Sequence, residues 1–174
     1  MEIKKQFELI TDFFKKEKID YALIGAFALY AYGYLRATQD IDFITKNENQ
    51  KKIVAYLESI GFETLNQTKG YSNHLHPIGS MRFDFVYISG NTADIIFQSI
   101  KKKNVFEDDD IPVVSPEHLI ALKLFAIKNE PGRKLKELAD IKEIYELTKI
   151  EKDIIHKYLK KYDLKEYYNE IIGE

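Results

Sequence analysis

Two aspartates one residue apart, Asp40 and Asp42, constrain this chain more than any other feature. They lie in the run QDIDFIT, residues 39–45. Alternation of acid and large apolar residue is a strand pattern, because side chains two apart share a face. Asp40 and Asp42 then point one way, and Ile41 and Phe43 the other. Two adjacent carboxylates with no basic residue between them repel each other. A Mg²⁺ ion removes that repulsion, since hard divalent ions favour carboxylate oxygens. The pair has two readings: a chance D-x-D at a strand end or helix cap, or metal-dependent phosphate chemistry on one face of a sheet, which the rest of the chain must support.

The residues before this strand fit such chemistry. Residues 21–24 form a short apolar run that ends at Gly25, which predicts a buried strand. Residues 26–35 are rich in Ala and Leu and predict a helix starting just after Gly25, with Gly33 as its weak point. Helix N-termini attract phosphate through free N–H groups and a favourable dipole. A triphosphate would then rest one end on the backbone of residues 25–28 and bridge by metal to Asp40 and Asp42.

A third carboxylate lies in residues 81–88. Phe83, Phe85 and Tyr87 alternate there with Arg82, Asp84 and Val86. A charge inside an apolar strand is costly if buried and unpaired. Asp84 has two readings: a structural ion pair with Arg82 or a distant lysine, or a ligand facing the same metals from a neighbouring strand. A two-metal site needs several carboxylates, and Asp84 would also be placed to deprotonate an attacking hydroxyl.

The remaining pattern gives the architecture. Residues 1–18 carry an apolar stripe at Ile3, Phe7, Ile10 and Phe14, a packing helix. Residues 49–60 are helical, with Gly61 placed to end them. Residues 62–65 and 71–76 read as strands around a turn at 67–70, and residues 92–102 as a helix whose end is Lys101-Lys102-Lys103. Residues 107–110 are an acidic run expected to be a solvated loop, and 111–114 a strand. Ser115-Pro116-Glu117 starts a helix, with Ser at the N-cap and Pro in the first turn. Pro131-Gly132 breaks it, and residues 133–148, 152–161 and 164–172 have helical periods. The expected division is an α/β half, residues 1–110, and a helical half, residues 111–174, packed on it.

With 45% hydrophobic and 31% charged residues, the chain has the balance of a globular protein, not a disordered one. It has no cysteine, so disulfides and thiolate metal sites are excluded. A formal net charge of −2 argues against a broad nucleic-acid footprint. The charged first residues do not resemble a signal peptide, and no apolar run reaches membrane-spanning length, so a cytoplasmic location is expected.

Gly25, the segment Arg36-Ala37-Thr38-Gln39-Asp40-Ile41-Asp42-Phe43 and the later Asp84 together resemble the nucleotidyltransferase superfamily that includes DNA polymerase β. They are most similar to its minimal bacterial branch, the AbiEii/AbiGii toxin-type nucleotidyltransferases. The resemblance extends to Lys123 on one helix and Asp140 on the next, and spans residues 21–146. It implies an α+β class, with a minimal nucleotidyltransferase fold (a mixed β-sheet with flanking helices) followed by a C-terminal helical bundle. It also implies transfer of a nucleoside monophosphate from an NTP to an acceptor that is RNA, protein or a small molecule. Asp40, Asp42 and Asp84 would hold Mg²⁺ or Mn²⁺ and act catalytically. Gly25, Ala26, Arg36, Thr38, Lys123 and Asp140 would bind the nucleotide. A toxin–antitoxin or phage-defence setting, with a cognate toxin or antitoxin partner, would follow from the same resemblance.

One departure bears on activity. Ala26 stands where the family has Gly or Ser. Alanine keeps the backbone N–H, lacks the serine hydroxyl and tolerates positive φ poorly compared with glycine. This feature favours a rival reading, a catalytically inactive protein of the same fold acting as a binding partner or antitoxin. A third reading is a modifier of small molecules similar to the aminoglycoside nucleotidyltransferases.

Several residues also have purely structural readings. Lys123 would extend its ammonium to water along an apolar helix, and Asp140 would pair with Lys136 four residues earlier. His74 and His76 share a strand face with no third ligand of matching type nearby, and read as strand-surface residues. Phe13, Phe125 and Tyr145 sit at helical spacing and read as core, not as a base-stacking platform.

Overall fold

The computed structural model describes residues 3–78, 81–105, 110–148 and 150–173. Seven strands form one mixed sheet in the order β3-β4-β5-β2-β1-β7-β6. They are β1 (Tyr21–Leu23), β2 (Asp40–Lys46), β3 (Glu63–Gln67), β4 (Tyr71–His76), β5 (Met81–Ile88), β6 (Lys101–Asn104) and β7 (Asp110–Val113). The central pair β2 and β5 is parallel, β1 runs antiparallel to β2, and β4 antiparallel to β5. The helices are α1 (Ile3–Glu17), α2 (Gly25–Ala31), α3 (Gln50–Ser59), α4 (Gly90–Gln98), α5 (Pro116–Asn129), α6 (Lys134–Thr148), α7 (Lys152–Tyr162) and α8 (Tyr168–Ile172). None of these helices is long and apolar enough to cross a membrane. This is the α+β arrangement expected from the sequence: a mixed sheet, flanking helices and a helical C-terminal region.

The alternation in β2 and β5 decides which face is packed. Ile41, Phe43, Phe83, Phe85 and Tyr87 are buried on one side of the sheet. The stripe of α1 covers them, with the Phe14 ring edge-on to Phe43 at 5.4 Å and to Phe85 at 6.2 Å. Ile53 and Leu57 of α3 are also fully buried in this core. Asp40 and Asp42 in β2 and Asp84 in β5, at the alternate positions, are thereby turned to the opposite face.

Glycines end two helices by the same device. α2 stops at Ala31, short of the expected residue 35, because Gly33 takes φ +100° and Tyr34 N–H closes back on the Leu29 carbonyl at 3.0 Å. α3 ends likewise at Gly61, with φ +92° and Phe62 N–H bonded to the Leu57 carbonyl.

The lysine triplet differs from expectation. α4 ends at Gln98, and Lys101-Lys102-Lys103 form β6, paired antiparallel with β7. Sheet pairing outcompetes one more helical turn here, and an exposed edge rich in lysine resists pairing with other chains. β7 also joins β1 in parallel, so the sheet runs past residue 110 and the helical region begins at Pro116. Of the acidic run, residues 107–109 lie outside the described residues, and Asp110 opens β7. Ser115 precedes α5 as expected, but its hydroxyl meets His118 Nδ1 at 3.1 Å instead of capping the helix.

The histidines also differ. His74 is 1% exposed, on the packed face of β4, between the Ser72 hydroxyl at 2.8 Å and the Thr64 hydroxyl at 3.2 Å. Burial lowers its pKa to about 4, against the smaller pull of Glu58. It is a neutral core residue and not a surface one, because the alternation of β4 puts it on the face that meets Phe85. His76, farther along, packs edge-on to Phe62 at 5.0 Å.

Candidate active site

A cleft of about 620 Å³ opens between the carboxylate face of the sheet and helices α5 and α6. The parallel register of β2 and β5 sets its floor: Asp42 lies opposite Asp84, and Asp40 opposite Arg82. Asp40, Asp42 and Asp84 all line the cleft. Asp40 leans outward, with its Oδ1 3.9 Å from Arg82 Nε.

Electrostatics reflect the crowding. Burial, then Asp84, then Asp40 push the Asp42 carboxyl from 3.8 up to about 7, against the pull of Lys123 and Arg36. Asp84 is also raised, mainly by burial, and Asp40 adds to this. A hydrogen bond from Asn73, its cross-strand partner on β4, together with Arg82 and Arg133, works the other way.

The turn between β1 and α2 fits this floor closely. Gly25 has φ +63°, and a β-carbon there would fall on the Asp42 carboxylate, within 2.9 Å even of Asp42 Cβ. Ile24 N–H bonds the Asp42 carbonyl at 3.0 Å. Ala26 is not among the positive-φ residues, so alanine costs nothing in backbone conformation there. Its side chain is 2% exposed and does not line the cleft. Thr38 shapes the approach to β2, its hydroxyl accepting the Asp40 N–H at 3.2 Å.

The opposite wall carries positive charge held by buried acids. Lys123 Nζ on α5 lies 2.5 Å from Asp140 Oδ2 and 2.8 Å from Glu137 Oε2, both on α6. Arg133 Nε donates to Glu137 Oε1 at 3.0 Å. Arg36 Nε stands 3.4 Å from Asp140 Oδ1 without a well-formed hydrogen bond. Lys123 therefore does not reach out to water, and Asp140 pairs with Lys123 and Arg36 rather than with Lys136. Burial opposes ionisation of Glu137, but Lys123 and Arg133 outweigh it and hold its carboxyl below the usual range.

Sequence reasoning did not single out Glu137, Arg133 or Asn73. The first two were legible as an i, i+4 pair at the start of α6, just before Asp140. Asn73 was not, because its place beside Asp84 exists only in the β4–β5 pairing. Phe125 also departs from the core reading: it is 53% exposed and lines the cleft.

Three carboxylates on one cleft floor are hard oxygen donors of the kind a divalent cation takes, and two of them are raised by burial, with neighbouring acids adding to it. Among the described residues no three acidic or histidine side chains form a ready-made metal cage.

The family model described as "Nucleotidyl transferase AbiEii toxin, Type IV TA system" matches residues 9–170. No curated protein matches the sequence. Among solved structures, the chain is similar to ANT(2'')-Ia in complex with adenylyl-2''-tobramycin, with a TM-score of 0.69 and 14% identity over 91% of this chain and 95% of that one. It is similar to the lincomycin-bound lincosamide antibiotic adenylyltransferase LnuA, with a TM-score of 0.55 and 19% identity over 67% and 82% of the two chains. It is also similar to an antigenic nucleotidyltransferase-like protein from Paracoccidioides brasiliensis, with a TM-score of 0.51 and 16% identity over 80% and 73%. These likenesses show a shared nucleotidyltransferase fold.

Proposed function

The chain belongs to the AbiEii nucleotidyl transferase family, and on that premise we propose that it transfers a nucleoside monophosphate from an NTP to a hydroxyl-bearing or other acceptor: RNA, protein or a small molecule. The observation that carries this reading is that Asp40, Asp42 and Asp84 line one cleft together with Lys123 and Arg36. Asp40, Asp42 and Asp84 would hold Mg²⁺ or Mn²⁺, which when bound would neutralise charge on the α-phosphate and the leaving pyrophosphate. Asp84 would take the proton of the attacking hydroxyl, a role suited to a carboxyl made more basic by burial. Arg36 and Lys123 would face the triphosphate, with Asp140 and Glu137 holding Lys123 in place. Gly25 would let the backbone approach that anion closely, since no side chain intervenes. The protein would act in the cytoplasm, as the toxin, or as one half of a toxin–antitoxin or phage-defence pair, with a cognate partner.

The test is transfer of labelled NMP from each of the four NTPs, with Mg²⁺ or Mn²⁺, to RNA, protein and small-molecule acceptors, beside Asp42→Asn. Metal-dependent labelling lost in the variant supports the reading. The second reading, an inactive binding partner or antitoxin, rests on Ala26 standing where the family has Gly or Ser, though its side chain is buried and does not line the cleft. No NTP-dependent rise in melting temperature with either metal would select that second reading.

A further inference from the structure

We infer that the cleft holds the nucleobase of the bound nucleotide against the Phe125 ring, with Tyr71 forming the facing wall. The inference rests on an NTP being the substrate. It begins from an anomaly on α5. Leu119, Ile120, Leu124 and Ile127 are buried, while Phe125 is 53% exposed. A single exposed aromatic is ordinary. Phe125 is not single: it shares a cleft-lining stripe with Leu122, Ala126 and Asn129, the i, i+3, i+4 and i+7 face of the helix. On the sheet side Tyr71, 45% exposed, lines the same cleft beside its cross-strand partner Val86.

The cleft is thus amphipathic. Its lining brings together two kinds of group: three carboxylates with Arg36, Lys123 and further charged side chains of α6, and the aromatic and aliphatic side chains of Phe125, Tyr71, Leu122, Ala126 and Val86. A nucleotide also combines two kinds of group, a polyanion at one end and a flat apolar-faced ring at the other. A volume of about 620 Å³ is of the size that takes one small ligand. The Phe125 ring is also pre-oriented. It packs on Tyr162 at 5.9 Å and 60°, and Tyr162 stacks on Tyr158 at 6.5 Å. A ring fixed before binding loses little freedom when a base stacks on it.

The experiment compares ATP with inorganic tripolyphosphate, both with Mg²⁺, by calorimetry on the full chain. Tripolyphosphate reports the anion site alone, and ATP adds the base. Wild type should bind ATP at least about tenfold more tightly, the scale of one base–aromatic stack. Phe125→Ala should lose most of that ratio and leave tripolyphosphate affinity unchanged. Tyr71→Leu should lose part of it. Both side chains are exposed enough for the variants to fold, and circular dichroism checks this. Equal affinities for the two ligands, or an unchanged ratio in Phe125→Ala, would overturn the inference while the anion site stands. Absence of binding by both ligands would overturn the NTP reading itself, and this inference with it.

Discussion

Gly25 and Asp42 exclude each other's side chains: a β-carbon on Gly25 would occupy the position of the Asp42 carboxylate. The glycine is fixed twice over, by its φ of +63° and by this contact. The turn and the acid therefore act as one unit, and the carboxylate reaches the cleft floor only because nothing projects from residue 25.

Gly25→Ala should be destabilising and should displace Asp42. The left-handed backbone alone costs roughly 1–2 kcal/mol for a non-glycine residue. The clash adds to this, so urea unfolding should show a loss of about 2 kcal/mol or more. Binding of Mg²⁺–NTP should weaken together with stability. A loss under about 0.5 kcal/mol with intact binding would mean that the turn relaxes freely.

Asp42 should make stability fall as pH rises. Its carboxyl stands at about 7 in the fold, against 3.8 ordinarily. Between those values the folded chain binds more protons than the unfolded chain, so unfolding free energy decreases with pH across that window and the penalty is complete above it. Asp42→Asn should then be the more stable protein at pH 8, by at most about 4 kcal/mol at roughly 1.4 kcal/mol per tenfold. The two proteins should converge toward pH 4. Added Mg²⁺ should raise the melting temperature of wild type at pH 8 and leave the variant unmoved. A variant less stable than wild type at pH 8 would show that the carboxylate is already paired.

Glu137 should be the most sensitive position in the helical wall. Its side chain is 2% exposed and holds both Lys123 and Arg133. Glu137→Gln keeps the shape but removes one of the two carboxylates on Lys123 and the one bonded to Arg133; with Asp140 still on Lys123, the loss should be about 1–3 kcal/mol. Adding Lys123→Met should cost less in thermal unfolding than it does in the wild type, because one of that ammonium's two ion pairs is already gone, while Asp140 loses its close partner in either background. Additive losses in the double variant would mean that the two residues act independently.

Much of the fold was legible because it depends on local periodicity. The alternation around Asp40, Asp42 and Asp84 gave the two faces of the sheet, and Gly61 gave the end of a helix. His74 was misplaced because the same alternation does not say which face of an outer strand is covered. The lysine triplet was read as a helix end because its β7 partner begins nine residues after Lys101. The sequence leaves Lys123 two readings, reaching water or contacting phosphate with Asp140 orienting it, because an apolar helix neighbourhood suits a snorkelling lysine as well as a paired one, until α6 brings Glu137 and Asp140 against it.

By itself, then, the sequence determined which residues share a face, where the chain must turn, and that three carboxylates lie in strands with packed backs. Those properties follow from the two-residue and 3.6-residue repeats and from glycine's freedom, all of which act within a few residues. Only the tertiary structure decided that Asp42 would stand beside Asp84, that Asn73 would donate to Asp84, that Lys123 would be held by two acids, and that Phe125 would face the cleft instead of the core. Each of those depends on strand order and helix docking. The free energy for that long-range placement comes from burying Phe14, Phe43 and Phe85 together, and the polar face takes its geometry from the core behind it.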